Sequence, residues 1–252
     1  MIFWLGVHVP RWLEQTKVPL FISARRLRTI RRLPRAIGPW CLDSGGFSEL
    51  SLLGRWETPA KQYVSETRMW MDEIGKMKWA ATQDWMCEPF ILEKTGKTIA
   101  DHQARTIRSL IDLRSMAPEI PWVPVLQGFH ADDYMRHVDK YENAGIDLMN
   151  ERLVGVGSIC RRQGTKEVEY ILRSLAAIGI KLHAFGAKTT GLRRYHGILA
   201  SSDSMAWSFA ARRDEPLPGH THKTCANCLD YALLWRDRLL DSLKTPRQRS
   251  LW

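Results

Sequence analysis

The polar residues best suited to chemistry share one arrangement: each closes or follows a short apolar run. Asp43-Ser44-Gly45-Gly46 ends "PWCL", Gln83-Asp84 ends "KWAAT", Gln127-Gly128 ends "WVPVL", and Ser201-Ser202-Asp203 sits within "ILASSDSMAW". Gly155-Val156-Gly157 and Gly186-Ala187-Lys188 mark two further runs. Three carboxylates brought into one pocket can divide labour. One attacks as an ionised nucleophile, and a second exchanges a proton. A third accepts from the N–H edge of a purine while a glutamine amide reads its carbonyl. Glycines let backbone approach such a ligand closely, so a nucleoside is a substrate this set can handle. For any single residue, a turn or a helix cap explains Asp or Gly as well. For the whole set, each member at a strand end, that reading loses ground.

The elements that must position these residues can be read from the pattern. Eight strand-like runs recur, at 2–8, 19–24, 39–47, 78–85, 122–129, 152–159, 181–187 and 198–207. Several are apolar nearly throughout, as strands buried on both faces are. Helix signals fall between them. Thr58-Pro59 reads as an N-cap with proline at the first helical position. Ala60, Tyr63, Val64, Thr67, Met71 and Ile74 follow as a buried face, and Gly75 is the stop. Thr98 caps a helix with Ile99, Ile107, Leu110 and Ile111 inward. Asp132 and Asp133 open another, with Tyr134, Val138 and Tyr141 inward and Gly145 as its stop. Thr165 opens a fourth, with Val168, Ile171, Leu172 and Leu175 inward and Gly179 after it.

Strands alternating with helices predict an α/β fold, a TIM (β/α)8 barrel over residues 1–214, with a doubly wound open sheet as the alternative. Chemistry in such a barrel belongs at the C-terminal strand ends, where the polar set lies. After residue 214 the pattern breaks into a loop, "DEPLPGHTHKTCANC", a long amphipathic helix at about 226–243 and a basic tail, packed on the barrel as a region of residues 215–252.

With 37 Lys and Arg against 27 Asp and Glu, the net charge is +10. A polyanion is the natural partner, nucleic acid first. Arginine pairs recur where a barrel rim would be: Arg25-Arg26, Arg161-Arg162, Arg193-Arg194 and Arg212-Arg213. One pair is an ordinary solvated helix face; four on one rim read as phosphate contacts. Trp12, Trp56 and Trp85 are equally suited to stacking on bases and to core packing. Five cysteines form no disulfide framework, and Cys41, Cys87 and Cys160 read as small core residues. No run approaches the roughly 18 apolar residues of a membrane span. The N-terminus has no signal-peptide features, which fits a reducing, cytoplasmic setting.

In order and spacing, "LDSGGF" (42–47), "ATQDW", "VLQG" (125–128), "VGVG" (154–157), "AFGAK" (184–188) and "SSDSMAW" (201–207) resemble the motifs of the tRNA-guanine transglycosylase superfamily. The resemblance covers about residues 2–210. The short chain is most similar to the DpdA branch, which places 7-deazaguanine derivatives in DNA in bacteriophages and bacterial modification clusters. The resemblance implies exchange of guanine in DNA for a 7-deazaguanine, such as 7-cyano-7-deazaguanine (preQ0), supplied as a small molecule. Asp203 would be the nucleophile and Asp43 the proton acceptor for the incoming base. Asp84, Gln127 and Gly128 would read the guanine edge, with Ser44, Gly45, Gly46, Phe47 and the Gly155, Val156, Gly157 backbone lining the pocket. The compartment would be the cytoplasm, that of an infected host if the chain is phage-encoded, and family relatives often pair as homodimers. A tRNA transglycosylase, a nucleoside hydrolase-like enzyme and a barrel that binds nucleic acid without catalysis stay open as alternatives.

Two departures stand out. Ser48 replaces the glutamine usual after the phenylalanine. The family's zinc motif, CxCxxC with a later histidine, is also altered: Lys223 holds the first cysteine's place, and no histidine follows Cys228. His220, His222, Cys225 and Cys228 nevertheless offer four N/S ligands within nine residues, a set suited to a rearranged structural zinc site. A redox CxxC is the weaker alternative, and an HxH places both rings well only on a bent loop or a strand.

Overall fold

Closure of the sheet depends on one proline. In the computed structural model, which describes residues 1–244, the strands are β1 (Ile2–Val7), β2 (Leu20–Ser23), β3 (Trp40–Asp43), β4 (Met77–Ala81), β5 (Trp122–Val123), β6 (Val125–Leu126), β7 (Val154–Val156), β8 (Leu182–Ala184) and β9 (Ser201–Ser204). All are parallel, in the order β5-β4-β3-β2-β1-β9-β8-β7-β6. The two end strands are halves of one expected run, 122–129, divided at Pro124. Proline has no N–H to donate to a ladder. Before it, β5 pairs with β4; after it, β6 pairs with β7. The Thr82 hydroxyl, next after β4, donates to the Val123 carbonyl at 2.6 Å just before the break, and the Tyr141 hydroxyl donates to the Val125 carbonyl at 3.0 Å just after it. The ring closes through this divided strand, giving the expected (β/α)8 barrel and not a doubly wound open sheet.

The helices are α1 (Ala24–Leu27), α2 (Gly46–Leu53), α3 (Ala60–Ile74), α4 (Pro89–Thr95), α5 (Ile99–Met116), α6 (Ala131–Asn143), α7 (Lys166–Ala177), α8 (Thr189–Tyr195), α9 (Ala206–Ala210) and α10 (Leu229–Lys244). Thr98 and Asp101 form a reciprocal capping box at α5, and the Thr165 hydroxyl accepts from Val168 N–H at α7. Asp133 is the third residue of α6, where it accepts from the backbone N–H groups of Phe129 and His130 at 3.0 and 2.8 Å. Thr58 is not the cap of α3. Pro59 occupies that position, and the Thr58 hydroxyl donates to buried Glu49 at 2.6 Å. Glu49 also accepts from the N–H groups of Glu57 and Thr58, so one carboxylate fixes the whole α2–α3 loop. On α5, Ile111 is 40% exposed; the buried face instead carries His102, Gln103 and Thr106 beside Ile107, Leu110 and Leu113.

The main core lies between the strands and the helical ring, and a smaller cluster of Trp4, Phe21, Cys41, Trp79, Ala81 and Val123 fills the barrel interior. Tyr231, Ala232 and Leu239 of α10 join the main core, and Trp235 packs 6.2 Å from the Phe3 ring. The last eight residues of the expected basic tail, 245–252, lie outside the described residues. Among the described residues no helix is long and apolar enough to cross a membrane.

Candidate active site

At the C-terminal strand ends a cavity of about 500 Å³ opens. Asp43, Ser44, Gly45, Gly46, Phe47, Asp84, Gln127, Gly157 and Asp203 all line it, so the strand-end set does converge. Gly45 stands at φ 81°, a left-handed turn that suits glycine, and it starts α2. Gly46 faces the indole of Trp56, which would lie 2.7 Å from a Cβ there. Gly157 faces the Gln127 amide; a Cβ would stand 2.1 Å from its Nε2. Three expected members lie elsewhere. Val156 is fully buried in the main core. Gly155 makes room for the Phe185 ring, and Gly128 packs against Asp133 and Tyr134 of α6. Of the tryptophans, Trp12 is core, beside Trp207, while Trp56 donates to the Asp84 carbonyl at 3.2 Å. Trp85 lies under the Arg105 guanidinium.

The carboxylates are not equivalent. Burial raises Asp43 from 3.8 to about 6, with the charge of Asp203 adding to the rise and bonds from Ser23 and Gly45 opposing it. Burial, and next the Asp43 charge, raises Asp84 to about 7, opposed by the Gln127 amide. Asp203 is 8% exposed, and its Oδ1 accepts from Gly186 N–H at 2.9 Å.

Among the lining residues not expected, Glu88 and Ser158 bear most directly on the carboxylates. Gln127 Nε2 donates to Asp84 Oδ2, and Gln127 Oε1 lies 2.6 Å from Ser158 Oγ. Ser158 Oγ is also 2.9 Å from Glu88 Oε2 and accepts from Cys87 N–H at 2.7 Å. A hydroxyl has one proton to give. If it goes to Gln127, Glu88 must carry a proton of its own to complete the row, and burial does raise the Glu88 carboxyl. Ser158 holds this place at φ 55°, unusual for a side-chain-bearing residue. Its only sequence signal is its place after Gly157. Glu88, just before Pro89, reads as a helix cap.

Residues 1–250 match the family described as DpdA, DeoxyPurine in DNA protein A. The chain belongs to the DpdA family. No curated protein matches it. Membership places the chain among proteins of deoxypurine modification in DNA and makes DNA its partner.

The arginines of this DpdA chain sort into two groups. Arg25 and Arg26 line the cavity, Arg161 covers the rings of Phe90 and Phe47 at 4.4 and 5.5 Å, and Arg213 covers Phe209 at 3.9 Å. With exposed Arg193 and Arg212, these form no ion pair among the described residues. Arg162 and Arg194 are engaged within the fold. Arg162 pairs with Glu167 at 2.9 Å and donates to the Ser158 and Phe129 carbonyls; Arg194 pairs with Glu169 at 3.5 Å.

His220, His222, Cys225 and Cys228 come together, their ligand atoms all within 4.8 Å of one another. His222 Nε2 is 3.1 Å from Cys225 Sγ, His220 Nδ1 is 3.4 Å from His222 Nε2, and Cys228 Sγ is 3.6 Å from His220 Nδ1. Bond lengths of roughly 2.0–2.3 Å imply tetrahedron edges of about 3.3–3.8 Å; two of the three close separations fall in that range and the third just below it, so the cluster could hold a small metal ion with modest adjustment. The bent loop turns the two rings to 87°, which lets both reach it. Asp230 lies 3.7 Å from His220 Nε2, placed to orient the ring from behind.

Proposed function

We propose that this chain exchanges guanine in DNA for a 7-deazaguanine base through a covalent aspartyl–sugar ester. The observation that carries the reading is the grouping of Asp43, Asp84 and Asp203 with Gln127 in one cavity, two of the carboxylates drawn toward neutral pH. A carboxylate nucleophile divides one hard displacement into two easier ones. Asp203 attacks the anomeric carbon, the bond to guanine N9 breaks, and its electron pair leaves with the base, which takes a proton from Asp43. The deazaguanine then gives its N9 proton to Asp43 and attacks the same carbon, displacing Asp203. With a proton affinity near 6, Asp43 can take and return that proton without a large barrier. Ionised Asp84 accepts from the guanine N–H edge, and the Gln127 amide donates to its carbonyl.

The target base must leave the helical stack. Arg25 and Arg26 sit where phosphates would flank such a base. Phe47, exposed, under Arg161 and lining the cavity, offers apolar surface beside it. The four-residue His/Cys cluster would hold a structural zinc ion that ties the loop before α10 to the barrel.

The test supplies duplex DNA, single-stranded DNA and tRNA separately with 7-cyano-7-deazaguanine and reads the digested nucleosides by mass spectrometry. Incorporation into DNA, lost in Asp203→Asn, is expected. Incorporation into tRNA alone, or wild-type exchange by Asp203→Asn, refutes the proposal.

A further inference from the structure

Beneath Asp203, inside the barrel, lies a fully buried histidine. His183 is on β8 with its ring among Phe185, Trp79 and Phe21, at centroid distances of 4.6, 4.8 and 5.7 Å. Its Nδ1 is 2.8 Å from Ser201 Oγ. Its Nε2 is shut from solvent and has no hydrogen-bond partner of ordinary geometry; Asp203 Oδ1 lies 3.3 Å from it. A buried polar nitrogen facing a carboxylate is seldom an accident of packing, because an aromatic residue would fill the same space without it.

The proton inventory limits the choices. If Nδ1 carried the only ring proton, a bare lone pair on Nε2 would face the carboxylate. If the Ser201 hydroxyl donates to Nδ1, or if both nitrogens are protonated, Nε2 carries an N–H on the Asp203 side of the ring, 3.3 Å from Oδ1 and off the line of an ordinary hydrogen bond.

We infer that His183 is a positioning residue for Asp203: with Gly186 N–H it holds Oδ1 and leaves Oδ2 to attack the sugar. This rests on Asp203 being the nucleophile. Once the ester has formed through Oδ2, Oδ1 is its carbonyl oxygen and keeps both donors. As the incoming base displaces the carboxylate, negative charge returns to a group already hydrogen-bonded. His183 therefore assists breakdown of the ester more than its formation, and its loss makes the covalent protein–DNA adduct accumulate.

Three variants and one spectrum test this. His183→Phe keeps a ring but removes the donor; base exchange should fall roughly 100-fold, the order seen on removing one oxyanion donor, with more trapped adduct than wild type. His183→Gln keeps an N–H in that direction and should recover much of the rate. Ser201→Ala, which leaves the histidine in place, should weaken exchange less and shift the ring tautomer. Nitrogen-15 NMR of wild-type protein should show a protonated Nε2 on His183, a readout independent of turnover. A proton on Nδ1 alone would overturn the inference, and so would folded His183→Phe exchanging base at the wild-type rate. Asp203→Asn assayed in parallel separates the two failures. Activity in that variant removes the nucleophile itself; its inactivity beside a wild-type-like His183→Phe removes only the role of His183.

Discussion

Replacing Asp84 by asparagine should make the protein more stable and less able to read its base. In the folded chain Asp84 holds its proton to about pH 7, against an ordinary value of 3.8. The folded state therefore binds that proton more tightly than the unfolded state, and stability is lost as pH rises from about 4 to 7. The full gap corresponds to roughly 4 kcal/mol. Asp84 is recessed but not sealed from the cavity, so about half of that, near 2 kcal/mol, is the expected gain of Asp84→Asn at pH 8. At about 2–4 °C per kcal/mol for a chain of this length, melting should rise by roughly 4–8 °C. The gain should shrink as pH falls and vanish near pH 4, where the wild-type carboxyl is also neutral. Urea or thermal unfolding across pH 4–8 measures this directly. A variant less stable at pH 8, or a gain that does not change with pH, would refute the argument that burial and the Asp43 charge hold this carboxylate at a cost.

Gly157→Ala should force the Gln127 amide aside, since the new Cβ would stand 2.1 Å from Nε2. Overpacking of about 1–3 kcal/mol should appear in melting curves, and loss of the amide's bonds should weaken kcat/KM about 10–100-fold. Replacing Arg25 and Arg26 together by alanine should reduce the slope of log affinity against log salt for duplex DNA by about 1.8. Arg162→Ala should instead lower stability by about 1–3 kcal/mol, since its half-buried guanidinium donates to the Ser158 and Phe129 carbonyls as well as to the more exposed Glu167. Wild-type protein should carry about one equivalent of zinc on direct metal analysis and Cys225→Ala should carry none; a full equivalent in the variant would remove Cys225 from the proposed site.

The barrel was legible because buried parallel strands write themselves as short apolar runs, and Thr98 and Thr165 marked helix starts by ordinary capping chemistry. Thr58 misled because a long-range partner, Glu49, took the hydroxyl that a local rule assigned to α3. Pro124 lies inside one continuous apolar run, 122–129, which hides the break its missing N–H imposes. In the site, Asp43, Asp84, Gln127 and Asp203 were readable because strand ends of a barrel share one face. Ser158 and Glu88 were not, because they meet across 70 residues through a left-handed backbone turn. His183 was hidden inside "KLHAFGA", where a histidine in an apolar run looks like any core residue.

The division of the fifth strand reaches into the site. Asp84 follows β4, which pairs with β3 and, of the two halves, only with the one before Pro124; Gln127 follows β6, which pairs with β7. Their hydrogen bond therefore crosses the joint in the hoop where the two end strands share no ladder, and acts as its clasp. A purine that takes the carboxylate on one edge and the amide on the other must open that clasp and then replace it. The ligand would complete the ring mechanically, and a barrel holding its base should be stiffer at this joint than an empty one, slowing amide exchange at Val125 and Gln127.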